Sequence, residues 1–196
     1  TYRVPYDSLR ERPTRDLLHA AGRLPFGDTL DVFVVHFPSR RGGATISEPY
    51  RLRAAGILRH LADSIARCRH TPRLLAMGDF NDEPHNASVS RVLAPTFAEL
   101  TSHATPFPAE GHDDIEGSYY FRGEWSRIDQ ILVSPTLLSP TMKFHTTPQS
   151  VHLLAFPPLL EPLGRGTLSK PFRTYLGPFY HGGISDHLPL CIDFSY

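Results

Sequence analysis

A chain of 196 residues, 40% hydrophobic and 11% aromatic, suffices for one globular domain with a real core, and a charged fraction of only 20% argues against disorder. Lys plus Arg equals Asp plus Glu, so the formal net charge is zero and the strong basic excess of a broad nucleic-acid surface is absent. No stretch is long and apolar enough to span a membrane, and none reads as a signal peptide.

In chain order, residues 1–14 are polar and proline-punctuated and read as an entry loop, followed by a short strand within 14–24 and a turn over 25–28. Residues 30–37 (LDVFVVHF) form a β-branched and aromatic run suited to a buried strand, ending in the loop 38–43. Ser47 is the expected N-cap of a helix over 48–68, with Pro49 in the first turn. Leu52, Ala55, Leu58, Leu61 and Ile65 recur at helical spacing, and Arg51, Arg53, Arg59, His60, Asp63 and Arg67 fall largely on the other faces.

Residues 73–77 (RLLAM) predict the next buried strand, so strand, helix and strand suggest a βαβ crossover. Short helical character returns at 87–93, and β patterns follow at 118–121, 126–133 and 188–194. Residues 139–182, rich in Pro, Gly, Thr and His, read as an extended surface excursion. The expected whole is one α/β or α+β domain over 1–196 with at least five strands and no internal repeat. Cys68 and Cys191 read as small core residues, with a disulfide or metal pair left open.

Chemistry-bearing side chains gather at the strand ends. His36 ends the first strong strand, Asp79 and Asn81 the second, Asp129 lies within Arg127-Ile128-Asp129-Gln130, and Asp186-His187 precedes the last strand. Such groups beside apolar strands are costly to bury unless they pair or hold a metal. Alone, Asp-Phe-Asn-Asp or Ser-Asp-His is as well read as a turn; their shared placement favours a site. Arg40 and Arg41, in a glycine-flanked loop, are candidates to hold a phosphate, or plain exposed charges. Tyr119, Tyr120 and Trp125 could line a pocket, although aromatics in short strands are more often core. The other histidines are expected in loops or on the surface, His181 drawing notice because it abuts Ser185-Asp186-His187. Their spacing makes a structural zinc site unfavourable.

Val35-His36-Phe37-Pro38-Ser39-Arg40, Met77-Gly78-Asp79-Phe80-Asn81, Ser126-Arg127-Ile128-Asp129-Gln130-Ile131-Leu132 and Gly183-Ile184-Ser185-Asp186-His187-Leu188-Pro189-Leu190, in this order, resemble the endonuclease/exonuclease/phosphatase superfamily. The resemblance implies a deoxyribonuclease-like fold, a sandwich of two β-sheets flanked by helices. It also implies hydrolysis of a phosphoester by in-line water attack with Mg²⁺ or Mn²⁺. On the matching positions, Asp79 would orient or deprotonate the water and contact the metal, and Asn81 would donate to a phosphate oxygen. His187 would be a general base or a cationic clamp on the phosphate, oriented by Asp129. Asp186 would be a second metal or water-shell carboxylate, and His36 a phosphate contact or general acid. The family's earlier segment, with an Asn and a metal-binding Glu, has no match in 1–31, where Glu11 sits in a polar loop; the expectation is a chain lacking that N-terminal portion. Nucleic acid, a phospholipid head or a small phosphate ester all remain open as substrate. A phosphate-ligand binding module without turnover is the alternative function.

Overall fold

The computed structural model describes residues 1–2, 14–108, 111, 114–164 and 168–196. The predicted entry loop, Glu11 included, lies mostly outside them. The ordered elements are β1 (Leu18–Arg23), β2 (Thr29–His36), α1 (Ala44–Cys68), β3 (Arg73–Asp79), β4 (Ala98–Glu99), β5 (Thr105–Phe107), β6 (Tyr119–Phe121), β7 (Glu124–Ser126) and β8 (Asp129–Val133). Then come β9 (Val151–Leu154), β10 (Leu160–Pro162), β11 (Ser169–Pro171), β12 (Tyr175–Leu176), β13 (Phe179–Tyr180) and β14 (Leu190–Ile192).

The larger sheet runs β1-β2-β3-β8-β4. The β1–β2 hairpin is antiparallel, whereas β2 and β3 are parallel and joined through α1, the expected βαβ crossover. Successive side chains on a strand point to opposite faces. On β3, Leu74 and Ala76 therefore join Phe33, Val35, Ala55 and Leu58 in the core beneath α1. Leu75 points the other way and packs with Ile131, Val133, Val151, Leu153 and Leu188. That second core lies against the smaller sheet, β14-β9-β5, so the fold is a two-sheet α/β sandwich with a helix on one outer face. Among the described residues, no helix is long and apolar enough to cross a membrane.

Several local expectations need correction. The helix starts a turn early, with Gly43 as N-cap; Ser47 lies inside it, its hydroxyl donating to the Gly43 carbonyl (2.7 Å), and Pro49 falls beyond the first turn. Arg51 is no surface residue: it is 2% exposed. The segment 139–182 is not merely an excursion. Within it β9 is the central strand of the smaller sheet, with Val151, Leu153 and Ala155 buried. Its alternation spans only four residues and is masked by flanking prolines and threonines. The expected strand at 126–133 is two strands, β7 and β8. Both cysteines are free; Cys68 is exposed at the helix end rather than in the core, and Cys191 is half-buried.

Candidate active site

The site begins as a row across the larger sheet. In register, His36 on β2 faces Asp79 on β3, which faces Asp129 on β8. Three neighbouring strands thus deliver three chemistry-bearing residues to one end of the sheet. Gly78 makes the close approach possible: its φ is +129°, and a Cβ there would sit 2.1 Å from the Val35 carbonyl oxygen. Beyond the row the chain turns at Asn81, itself in the left-handed region with φ 50°.

Asp79 is held tightly. Its Oδ1 accepts the Asn81 backbone N–H (2.8 Å), and its Oδ2 accepts the Asn81 side-chain amide (3.1 Å) and lies 3.2 Å from His36 Nε2. The Asn81 amide also donates to the Phe37 carbonyl (3.0 Å), so both of its N–H groups are engaged within the protein. Burial and the neighbouring Asp129 charge push the Asp79 carboxyl above the usual carboxylate range. Burial pushes the His36 imidazole down, against the attraction of Asp79.

Across the cleft, His187 Nδ1 donates to Asp129 Oδ2 (2.7 Å), an oxygen that also accepts the Ser118 hydroxyl. Among the described residues, this leaves Nε2 as the ring nitrogen without a hydrogen-bond partner. Burial works to lower the His187 pKa, but the Asp129 hydrogen bond and charge, aided by Asp79 and Asp186, outweigh it and the net shift is upward. The Tyr119 ring lies 4.7 Å from the His187 ring, centre to centre.

Behind the row sits a support that sequence reasoning missed. Asp82, 2% exposed, pairs with Arg51 Nε of α1 (2.7 Å) and accepts the Ser88 hydroxyl (2.7 Å). Arg51 also donates to Ser47 Oγ (2.7 Å) and to the Ala44 carbonyl (2.9 Å). The crossover helix is thereby tied to the Asp79–Asp82 turn. A charged residue on a helix is ordinarily read as solvated, and only the Asp after Asn81 hinted at a partner. Ser118 was missed likewise, since serine carries little signal by itself.

All eight predicted site residues, His36, Arg40, Arg41, Asp79, Asn81, Asp129, Asp186 and His187, line one cleft of about 820 Å³. Arg40 is largely committed: Nε donates to the Asn81 carbonyl (2.7 Å) and Nη2 to Asn86 Oδ1 (2.8 Å). Arg41 is exposed and makes no side-chain hydrogen bond or ion pair among the described residues. Tyr119 lines the cleft as well, but Tyr120 and Trp125 line a separate cavity of about 500 Å³. His181 lies outside the cleft lining and bonds Glu161 Oε2 (2.7 Å).

With this geometry, the matched family model is the Endonuclease/Exonuclease/phosphatase family, over residues 1–195. The chain belongs to this family. No curated protein sequence gives a significant match. Among solved structures, a Bacteroides vulgatus endonuclease/exonuclease/phosphatase aligns with TM-score 0.61 and 14% identity over 99% of this chain and 63% of that one. D. rerio TDP2, complexed with single-strand DNA product, gives TM-score 0.58 and 16% identity over 100% and 66%. Sphingomyelinase C from Streptomyces griseocarneus gives 0.57 and 16% over 89% and 56%. The chain therefore spans roughly three-fifths of the length of these structures. At such identities the likeness establishes the shared fold.

Among the described residues, no group of three or more His, Cys, Asp or Glu side chains is arranged to hold an ion. Asp79 and Asp186 both line the cleft. Mg²⁺ is commonly bound through one or two carboxylates plus waters and substrate phosphate oxygens, and two cleft carboxylates match that mode.

Proposed function

We propose that this chain is the catalytic part of a divalent-metal-dependent phosphoester hydrolase working by in-line attack of water. The observation that carries it is the convergence of His36, Asp79, Asp129 and His187, from four separate segments, on one cleft. A bound Mg²⁺ or Mn²⁺, held by Asp79 and Asp186, would polarise a phosphoryl oxygen. The chain's own groups do the rest. Asp79, its carboxyl raised by burial, orients the water and takes its proton. His187, locked through Nδ1, turns Nε2 to the phosphate and in its cationic form offsets charge developing on it. Exposed Arg41 supplies a second cation for a phosphate oxygen. His36, kept from the charged form by burial, contacts the phosphate or relays a proton to the leaving oxygen. The Asn81 amide, engaged with Phe37 and Asp79, acts first by fixing Asp79; a phosphate contact requires it to give up one of those bonds.

The substrate is a phosphate ester: nucleic acid, a phospholipid head or a small phosphate ester. The test is turnover of bis(p-nitrophenyl) phosphate, DNA, inositol phosphates and a phospholipid headgroup, with Mg²⁺, with Mn²⁺ and with EDTA. Metal-dependent release from at least one is expected, and none from any would overturn the reading. The internal engagement of Asn81 favours, as a second reading, a module that binds phosphate without turnover. Calorimetric binding of inorganic phosphate with no dependence on metal, and no hydrolysis, supports that module instead.

A further inference from the structure

The bed beneath the Gly183–His187 run is residues 172–174, part of the segment that carries no readable sequence pattern. Ile184 and Ser185 donate backbone N–H groups to the Phe172 carbonyl (2.8 and 3.2 Å), and Gly183 donates to the Arg173 carbonyl (3.0 Å). The Thr174 hydroxyl donates to the Ile184 carbonyl (2.8 Å). From that bed the Arg173 side chain reaches across to β6. Its guanidinium donates to the Tyr120 carbonyl and stands over the Tyr119 ring, 5.1 Å from the centroid. The Tyr119 ring in turn lies against His187.

We propose that Arg173 is a positioning residue for His187, bracing the Tyr119 ring that fixes the plane of the imidazole. This rests on the reading of His187 as a phosphate-handling group. The physical need is specific. The hydrogen bond from Nδ1 to Asp129 fixes one direction of the ring but leaves the ring plane free to turn about that bond, which would swing Nε2 away from its target. A neighbouring aromatic face removes that freedom. The face itself sits on a three-residue strand of a two-stranded hairpin whose partner strand is equally short. The Tyr119–His187 bridge already ties that hairpin to the loop through the backbone, and Arg173 adds a hydrogen bond to the Tyr120 carbonyl and a cation on the Tyr119 ring.

Arg173→Met is expected to lower kcat on bis(p-nitrophenyl) phosphate about tenfold, with KM within about twofold, because misalignment of a held group weakens transition-state rather than ground-state contacts. Arg173→Lys, which keeps a cation and a donor, should recover most of it. A readout independent of turnover is the His187 ring C–H resonance, displaced by the ring current of Tyr119 and assigned by its loss in His187→Ala. It should move towards the free-histidine position in Arg173→Met and stay in place in Arg173→Lys. An unmoved resonance in Arg173→Met overturns the proposal, as does a moved resonance with full kcat. An inactive wild type would count against the hydrolase reading, and the resonance alone would then decide for or against the role of Arg173. Should Arg173→Met fail to fold by circular dichroism, Arg173→Gln, which keeps a donor for Tyr120 but no charge, takes its place with the same expectations.

Discussion

The two halves of the site are built by different means. His36 and Asp79 stand at the ends of long, paired strands, so a seven-residue register places them side by side. Asp186 and His187 stand on a loop before a three-residue strand, and are placed by hydrogen bonds that the loop makes with residues 118 and 172–174 and by the Asp129 carboxylate. Regular backbone positions the first pair, and close irregular contact positions the second. A frame of the first kind resists local damage until it unfolds. A draped segment of the second kind can lose its alignment while the fold survives.

The largest expected effect lies within the frame. Arg51→Met removes the close ion pair of the buried Asp82, leaving it the Ser88 hydroxyl and the Arg40 guanidinium at 3.6 Å, and should cost about 3 kcal/mol in denaturant unfolding, the low end for breaking a buried pair. A loss under about 1 kcal/mol would show that Arg51 does not anchor the Asp79–Asp82 turn.

A matched pair of glycine variants sharpens the contrast. Gly78→Ala and Gly183→Ala each place a Cβ 2.1 Å from a carbonyl oxygen, that of Val35 or of Phe172. Strain of about 1–3 kcal/mol is expected where the neighbours must give. Gly78→Ala, in the ladder and at positive φ, should show it as lost thermal stability. Gly183→Ala should relax by shifting its loop, keeping most of the stability and losing turnover instead. Equal melting losses in both would erase the distinction between frame and draped loop.

The smallest effect is a pH dependence at the opposite end of β2. Asp31, fully buried, is paired by Arg69 (2.9 Å) and His19 (2.9 Å). Burial alone would raise its pKa, but these hydrogen bonds and charges bring it below the ordinary value. A depressed carboxyl stabilises the fold above its unfolded pKa, about 3.9, and that contribution is lost as pH falls through the lower folded value. Acid unfolding followed by circular dichroism should thus be less steep below about pH 4 in Asp31→Asn, which cannot titrate. An unchanged acid limb would contradict the assigned pairing.

The same contrast explains what could be read from residues alone. β2, α1 and β3 carry strong patterns because each spans several turns or alternations, so His36, Asp79 and their parallel pairing were legible. Asp129 and Asp186-His187 were legible as motifs, although the strands holding them are short. What escaped was tertiary in origin. Arg51 looks solvated until Asp82 is placed beside it. Val151 and Leu153 look like loop residues until the larger sheet covers them. The Asn81 amide looked available for phosphate because one of its two internal acceptors, the Phe37 carbonyl, lies on another segment.

The most direct test of the central claim is steady-state turnover of a phosphoester with Mg²⁺ or Mn²⁺ by the wild-type protein and by Asp79→Asn and His187→Ala. Each variant should lose turnover by on the order of a hundredfold or more, with the fold intact by circular dichroism. Turnover in either variant equal to that of the wild type would contradict the assignment of this cleft as the catalytic centre.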